Sequence, residues 1–133
     1  MYKTKKSKIR GTSYSEIERT ARKSYSTIAA KSKRSPYIRS AFFKKEKVFI
    51  SLFWTHLNQK NRKDRKRRLQ YLICAFDLIA NSKLQPSAKL NPNGDKTKVY
   101  RFCGVTYDNE IFYVQIKEDR FVRKFFISLF PYS

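Results

Sequence analysis

His56 is the only histidine in a chain of 133 residues, and so the only side chain whose ordinary pKa suits proton transfer near neutrality. Among the chemistries open to that residue type, the cleavage of RNA without a metal ion asks least of the rest of the chain. There the ribose 2′-hydroxyl is the nucleophile, and the protein supplies a base, an acid and cations for the charge that develops on phosphorus. Arg101 and Lys117 are the cations expected to stabilise the scissile phosphate, and Ser128 is the hydroxyl expected to position the phosphate or the ribose. His56 also ends an apolar stripe, where a lone histidine more often serves as a boundary residue of the core, so packing competes with catalysis at this position. Metal-dependent nuclease chemistry needs converging carboxylates. The ten acids are scattered, and Glu110, Glu118 and Asp119 read as hairpin-end residues. Gln115-Ile116-Lys117, with Asp95 or Asp108 upstream, is at most a degenerate form of the acid-x-Lys element of restriction-type nucleases. Cys74 and Cys103 stand alone, with only His56 to join them, which excludes a zinc site and a disulfide framework. The 3 glycines fall in no phosphate-loop spacing. No metal and no cofactor are expected.

The charge names a partner. Lys and Arg number 31 against 10 Asp and Glu, a formal net of +21. A balance so one-sided calls for a polyanion: RNA first, then an acidic inhibitor or antitoxin protein. Arg62, Lys63, Arg65, Lys66, Arg67 and Arg68 surround Asp64 alone. Placed in the first turns of a long helix, these cations oppose the macrodipole. A cost of that kind suggests phosphate contacts, in which Lys124 would share. A membrane is not an expected partner. The longest apolar run, Val48 to Trp54, is about 7 residues and carries Ser51, far below the roughly 18 a span needs. Met1 is followed by lysines with no apolar stretch behind them, so a cytoplasmic location is expected.

These side chains must be positioned by a fold that the apolar pattern outlines. Residues 1–45 hold 14 basic and 2 acidic residues with few large apolar ones, and read as a basic arm. Ser13-x-x-Glu16 and Ser15-x-x-Glu18 are candidate capping boxes for a helix reaching Ser24 or Ala30. Residues 46–133 read as the folded domain. Val48, Phe49, Leu52, Phe53 and His56 share one face of a first helix. Leu69, Leu72, Ile73, Phe76, Ile79 and Ala80 form the stripe of a second, from Asn61 to Asn81. Pro86, Pro92 and Asn93-Gly94 mark a loop. Val99–Val105, Ile111–Lys117 and Arg123–Phe130 alternate as strands, placing Phe112, Val114 and Ile116 on the core face. Arg123, Phe125, Ile127 and Leu129 would share one face of the last strand, and Gln115 and Lys117 would lie across from Lys124 and Ser128 on a mixed face. The expected fold is α+β: two helices packed on a three- or four-stranded antiparallel sheet, with a basic, partly helical N-terminal arm.

The element order over 54–130 resembles a known family. A histidine near the end of a first helix precedes Leu69-Gln70-Tyr71-Leu72-Ile73-Cys74-Ala75-Phe76-Asp77-Leu78-Ile79 and Asn81-Ser82-Lys83. A Pro-bearing loop leads to Tyr100-Arg101-Phe102 and Phe112-Tyr113-Val114-Gln115-Ile116-Lys117, and the chain ends on Phe125-Phe126-Ile127-Ser128-Leu129-Phe130-Pro131. This resembles the barnase–EndoU–colicin–RelE-like RNase superfamily (the BECR fold), in particular its phage- and mobile-element-associated nuclease domains. The resemblance implies a four-stranded antiparallel sheet under two helices, metal-independent RNA cleavage, and a toxin or effector role. By position it matches His56, Arg101, Lys117 and Ser128 to the family's helix histidine, early-strand basic residue, mid-sheet lysine and late-strand hydroxyl. Two other readings stand beside it: a non-catalytic nucleic-acid-binding protein of a mobile element, and an inactive nuclease-like adaptor for an acidic protein.

Overall fold

The computed structural model describes residues 1–90 and 97–132. Its elements run β1 (Tyr2–Lys3), α1 (Tyr14–Ala29), β2 (Tyr37–Ser40), β3 (Glu46–Phe49), α2 (Leu52–Asn58), α3 (Arg62–Leu69), α4 (Leu72–Asn81), β4 (Ser87–Leu90), β5 (Lys98–Val105), β6 (Ile111–Glu118) and β7 (Lys124–Pro131). The strands form one curled mixed sheet in the order β2-β3-β7-β6-β5. The far edge of β5 is shared, β4 pairing with its first half and β1 with its last two residues. The expected two helices on a three- or four-stranded antiparallel sheet are therefore corrected to four helices on seven strands among the described residues, with parallel pairs β1–β5 and β3–β7.

The expected N-terminal arm is also corrected. Ser13 caps α1 by accepting from the Glu16 amide at 3.3 Å, as the capping box implied. Yet Ile17 and Ala21, one turn apart, are fully buried, and α1 packs on α3, α4 and β2. Ahead of it, Thr4 donates to the Val105 carbonyl (2.8 Å) and Ile9 to the Gln70 carbonyl (2.7 Å), while the Lys5 amide donates to Asp77 (2.8 Å). The buried side chains of Ile9, Ile17, Ala21 and Phe43, with these backbone bonds, anchor a segment whose composition reads as solvated.

Two helix boundaries differ from the expectation, each for its own reason. Val48 and Phe49 belong to β3, not to the first helix; the spacing of Val48, Phe49, Leu52 and Phe53 suits either period over so short a run. The second helix is two, broken at Gln70 and Tyr71 where no Gly or Pro marks it. α4 is buried almost all round, with Leu72, Cys74, Ala75, Phe76, Leu78 and Ile79 inside the curl of the sheet. It approaches so closely that a Cβ on Gly104 would stand 2.7 Å from both Leu78 and Phe112. The loop expected over 84–98 contains β4, and Asp95, Pro92 and Asn93-Gly94 lie outside the described residues.

The three expected strands form, and β6 matches the alternation, with Phe112, Val114 and Ile116 buried as expected. The last strand does not keep one phase. Gln115 pairs with Ser128 but Ile116 pairs with Phe126, so Ile127 is an extra residue in β7, a bulge. Phe126 and Leu129 face the core together, and Phe125 and Ser128 face away from it.

Candidate functional site

Phe53 of α2 stacks on Phe126 of β7, with centroids 4.7 Å apart and planes within 4°. Leu57, one turn on, is buried too, so the same helix carries His56 at the margin of the core, half-buried. β3 pairs with β7 only through Lys124 and Phe125, and beyond that point α2 and α3 pack along β7 instead. Between the helix ends and the bulge lies a cavity of about 210 Å³, lined by His56, Gln59, Lys60, Arg68, Gln115 and Ser128 over a floor of Phe53, Leu57 and Leu129.

Arg68 joins the two sides. Its Nη1 donates to the Ser128 hydroxyl and to the Leu129 carbonyl, both at 3.2 Å, and its Nε donates to Asp64 at 3.1 Å. Burial opposes ionisation of Asp64, but the hydrogen bonds from Arg68 and Arg67 outweigh it and hold the carboxyl below its ordinary range. Arg68 is thus fixed by an ionised partner and offers a pre-oriented cation at the cavity wall. Three strands continue the site sideways. Ser128 lies opposite Gln115, Gln115 opposite Arg101, and Arg101 opposite Ser87, one row across β7, β6, β5 and β4.

The residues singled out in the sequence are distributed as follows. His56 and Ser128 share the cavity. Arg101 is in the row but outside the cavity; it lines an adjoining depression with Lys89, Val99 and Gln115, its guanidinium 5.4 Å from the Phe130 ring centroid. Lys117 lies one row further, between Val99 and Phe125. The members that sequence reasoning did not assign to the reaction are Arg68, Gln59, Lys60 and Gln115. Gln59 and Lys60 follow His56 by three and four residues, a helical neighbourhood that was legible; the contact of Arg68 with Ser128 spans 60 positions and was not.

Most of the α3 cluster also makes contacts within the fold. Arg62 and Arg65 lie over the Tyr14 ring at 4.8 and 5.5 Å, Lys66 donates to the Thr12 carbonyl at 3.1 Å, and Arg67 pairs with Asp64 at 3.2 Å; only Lys63 has none of these ties. Because α3 ends at Leu69, Lys66, Arg67 and Arg68 occupy its last turn, where cations favour the macrodipole. The cost expected of the cluster does not arise for these three; it stays with Arg62 and Lys63 in the first turn. Lys124 leaves the mixed face altogether: it points inward, 3% exposed, with Glu46 at 2.6 Å and Glu118 at 3.3 Å. It is withdrawn from the nucleic-acid contacts, since a cation enclosed by two carboxylates has no path to a phosphate.

Asp108, one of the acids considered for a metal, accepts from Thr106 at 2.6 Å and pairs with Arg10. Among the described residues no three His, Cys, Asp or Glu side chains group as metal ligands. Cys74 is buried, which pushes its thiol up to about 11. No helix among the described residues is long and apolar enough to cross a membrane. No protein-family model, curated protein or solved structure matches the chain.

Proposed function

We propose that this protein binds single-stranded RNA on the sheet face turned away from the core and cleaves it, without a metal ion, at the His56 cavity. One observation carries the reading: an imidazole, a hydroxyl and two cations, His56, Ser128, Arg68 and Lys60, line one small cavity although they come from three separate segments of the chain. At about 210 Å³ it is smaller than the usual 300–1,000 Å³ of a site for a drug-sized ligand, and it suits a phosphodiester that passes through rather than an enclosed cofactor.

His56 takes the proton of the 2′-hydroxyl as its oxygen bonds to phosphorus. The bond from phosphorus to the 5′-oxygen breaks, and that oxygen receives a proton from Lys60 or solvent. Arg68 and Lys60 face the equatorial oxygens, where charge accumulates, and the cation of Arg68 is already in place before reaction. Ser128 and Gln115 hold the phosphate or ribose. Arg101, further along the row, binds the flanking phosphate with Lys117 beyond it. The products carry a 2′,3′-cyclic phosphate and a 5′-hydroxyl.

Incubation of the purified protein with mixed RNA in EDTA tests this. Cleavage should survive, and His56→Ala should slow it by about 10²–10⁴ with binding little changed. A folded His56→Ala protein with full activity would end the assignment. One observation favours a second reading: the hydrogen bonds of Arg68 to Asp64, Ser128 and Leu129 would serve equally as a structural tie in a protein that only binds RNA. That reading forecasts binding without cleavage in the same assay.

A further inference from the structure

A second recess lies at the β2 edge of the sheet, outside the His56 cavity. It is an open cleft of about 640 Å³ between the segment after α1 and the hairpin of β2 and β3, lined, besides Ser35, by Lys31, Lys33, Arg34, Tyr37, Lys47 and Phe49. Four of these six are cations and all four are exposed; no carboxylate is among the lining residues. The other two are aromatic, opposite each other in the β2–β3 register with ring centroids 6.5 Å apart.

We infer that this cleft is a binding site for a stretch of unpaired RNA, separate from the site of cleavage. Phosphates along a strand need cations that no acid neutralises, and unpaired bases need ring faces. In the free protein Lys47 and Arg39 lie over the Tyr37 ring, at 4.6 and 5.5 Å. Both side chains are exposed, and a base on the ring replaces a contact weaker than the stack it forms, while the displaced cations pass to the phosphates. The rings do not stop at the cleft. Phe49 packs on Phe125 at 5.7 Å, Arg123 lies 5.7 Å from the Phe125 ring, and Phe125 is the cross-strand neighbour of Lys117. A continuous aromatic and basic track therefore leads from the cleft to the row that holds Arg101 and Ser128. An acidic protein would use the cations and leave the two rings without a role, and duplex RNA presents no base faces to them.

This inference rests on the RNA reading for its ligand class, and its test is independent of cleavage. The probe is a fluorescent 2′-O-methyl oligouridine, which has no 2′-hydroxyl to attack and so reports binding alone, measured by anisotropy over a salt series. Tyr37→Leu should raise Kd roughly 5- to 150-fold, the size of one lost base stack. Replacing Lys33, Arg34 and Lys47 together by Gln should flatten the plot of log K against log salt by about 2. Those three side chains are exposed, so the triple variant keeps the fold, and its melting curve confirms that. Unchanged Kd and slope in both variants would overturn the inference, even if the wild type cleaves RNA. So would an equal affinity loss for duplex RNA, or a response to the triple variant with none to Tyr37→Leu, since either result means a phosphate rim without base contacts. A protein that never cleaves RNA but shows both effects would sustain this site and remove the reaction proposed above.

Discussion

Lys124→Met is the substitution that most directly tests the inward turn of the last strand. The lysine side chain is 4% exposed and meets Glu46, Glu118 and the Val122 carbonyl, the last at 3.1 Å. Methionine keeps the length and apolar stem, so the packing change is small. What is lost is the counter-ion. Removing one partner of a fully buried pair costs about 3–5 kcal/mol. Here the carboxylates differ: Glu46 is 54% exposed and regains water, whereas Glu118 is 18% exposed and does not. The expected loss is therefore about 2–4 kcal/mol, a large share of the roughly 5–15 kcal/mol that holds a domain together. Urea unfolding followed by circular dichroism should show a lower midpoint at an unchanged slope. Adding Glu118→Gln removes the stranded charge and should restore about half of the loss. Binding to RNA supplies the second readout, because an enclosed cation makes no phosphate contact and its removal should leave the salt dependence unaltered. An unchanged urea midpoint, or a salt slope reduced by about 0.7, would refute the placement of Lys124.

Gly104→Ala forces a methyl to within 2.7 Å of Leu78 and Phe112, both enclosed by the core, and should cost about 1–3 kcal/mol by thermal denaturation; a neutral result would mean that α4 can lift from the sheet. Stability should also fall above pH 10. Burial first, and the hydrogen bond to Asp77 second, push Tyr2 from 10.0 up to about 12, so between these values the unfolded chain has released the phenolic proton and the folded one has not. Lys124 acts in the same direction: burial lowers its pKa, the bonds to Glu46 and Glu118 more than reverse that, and the raised value means its stabilisation disappears as pH rises. For Tyr2, only partly shielded from solvent, the loss is about 1 kcal/mol after screening. Tyr2→Phe should flatten the decline between pH 10 and 12, and an identical pH profile would remove Tyr2 as its source.

Strands β5 and β6 were legible because their side chains alternate between core and surface, β7 only up to its bulge, and helix α1 because Ser13 and Glu16 mark its start. The hairpin of β2 and β3 was hidden for a physical reason. Its turn places Lys44 and Lys45 at φ 56° and 67°, a conformation usually signalled by Gly or Asn, and two lysines send no such signal. Val122 hides the next turn in the same way, at φ 66°, held there by Asp119, which accepts from the amides of Phe121 and Arg123. For a β-branched residue that position is strained, and the surrounding bonds compensate. Of the candidate site, residue types were legible and mutual placement was not. His56 and Ser128 could be named, yet their meeting depends on a bulge that no residue type announces.

That bulge decides what the last strand can do. Were Ile127 an ordinary ladder residue instead of a bulge, strict alternation would put Ser128 on the side of Lys124 and Phe126, inside the core, and Leu129 outside. One inserted residue returns Leu129 to the core, where it is fully buried, and turns Ser128 outward, opposite Gln115 and within reach of Arg68. It falls just where β7 has lost β3 as a neighbour, so the backbone there answers to side chains rather than to a second strand. The Leu129 carbonyl, left by the ladder on that side, accepts from Arg68 instead. The same guanidinium thus completes the strand edge and carries charge to the cavity wall. A bulge at a strand edge re-aims a side chain at little cost to the core. Here the re-aimed residue, the compensating arginine and the only histidine occupy one recess, and that coincidence is the physical ground on which the proposed cleavage is assigned to this end of β7.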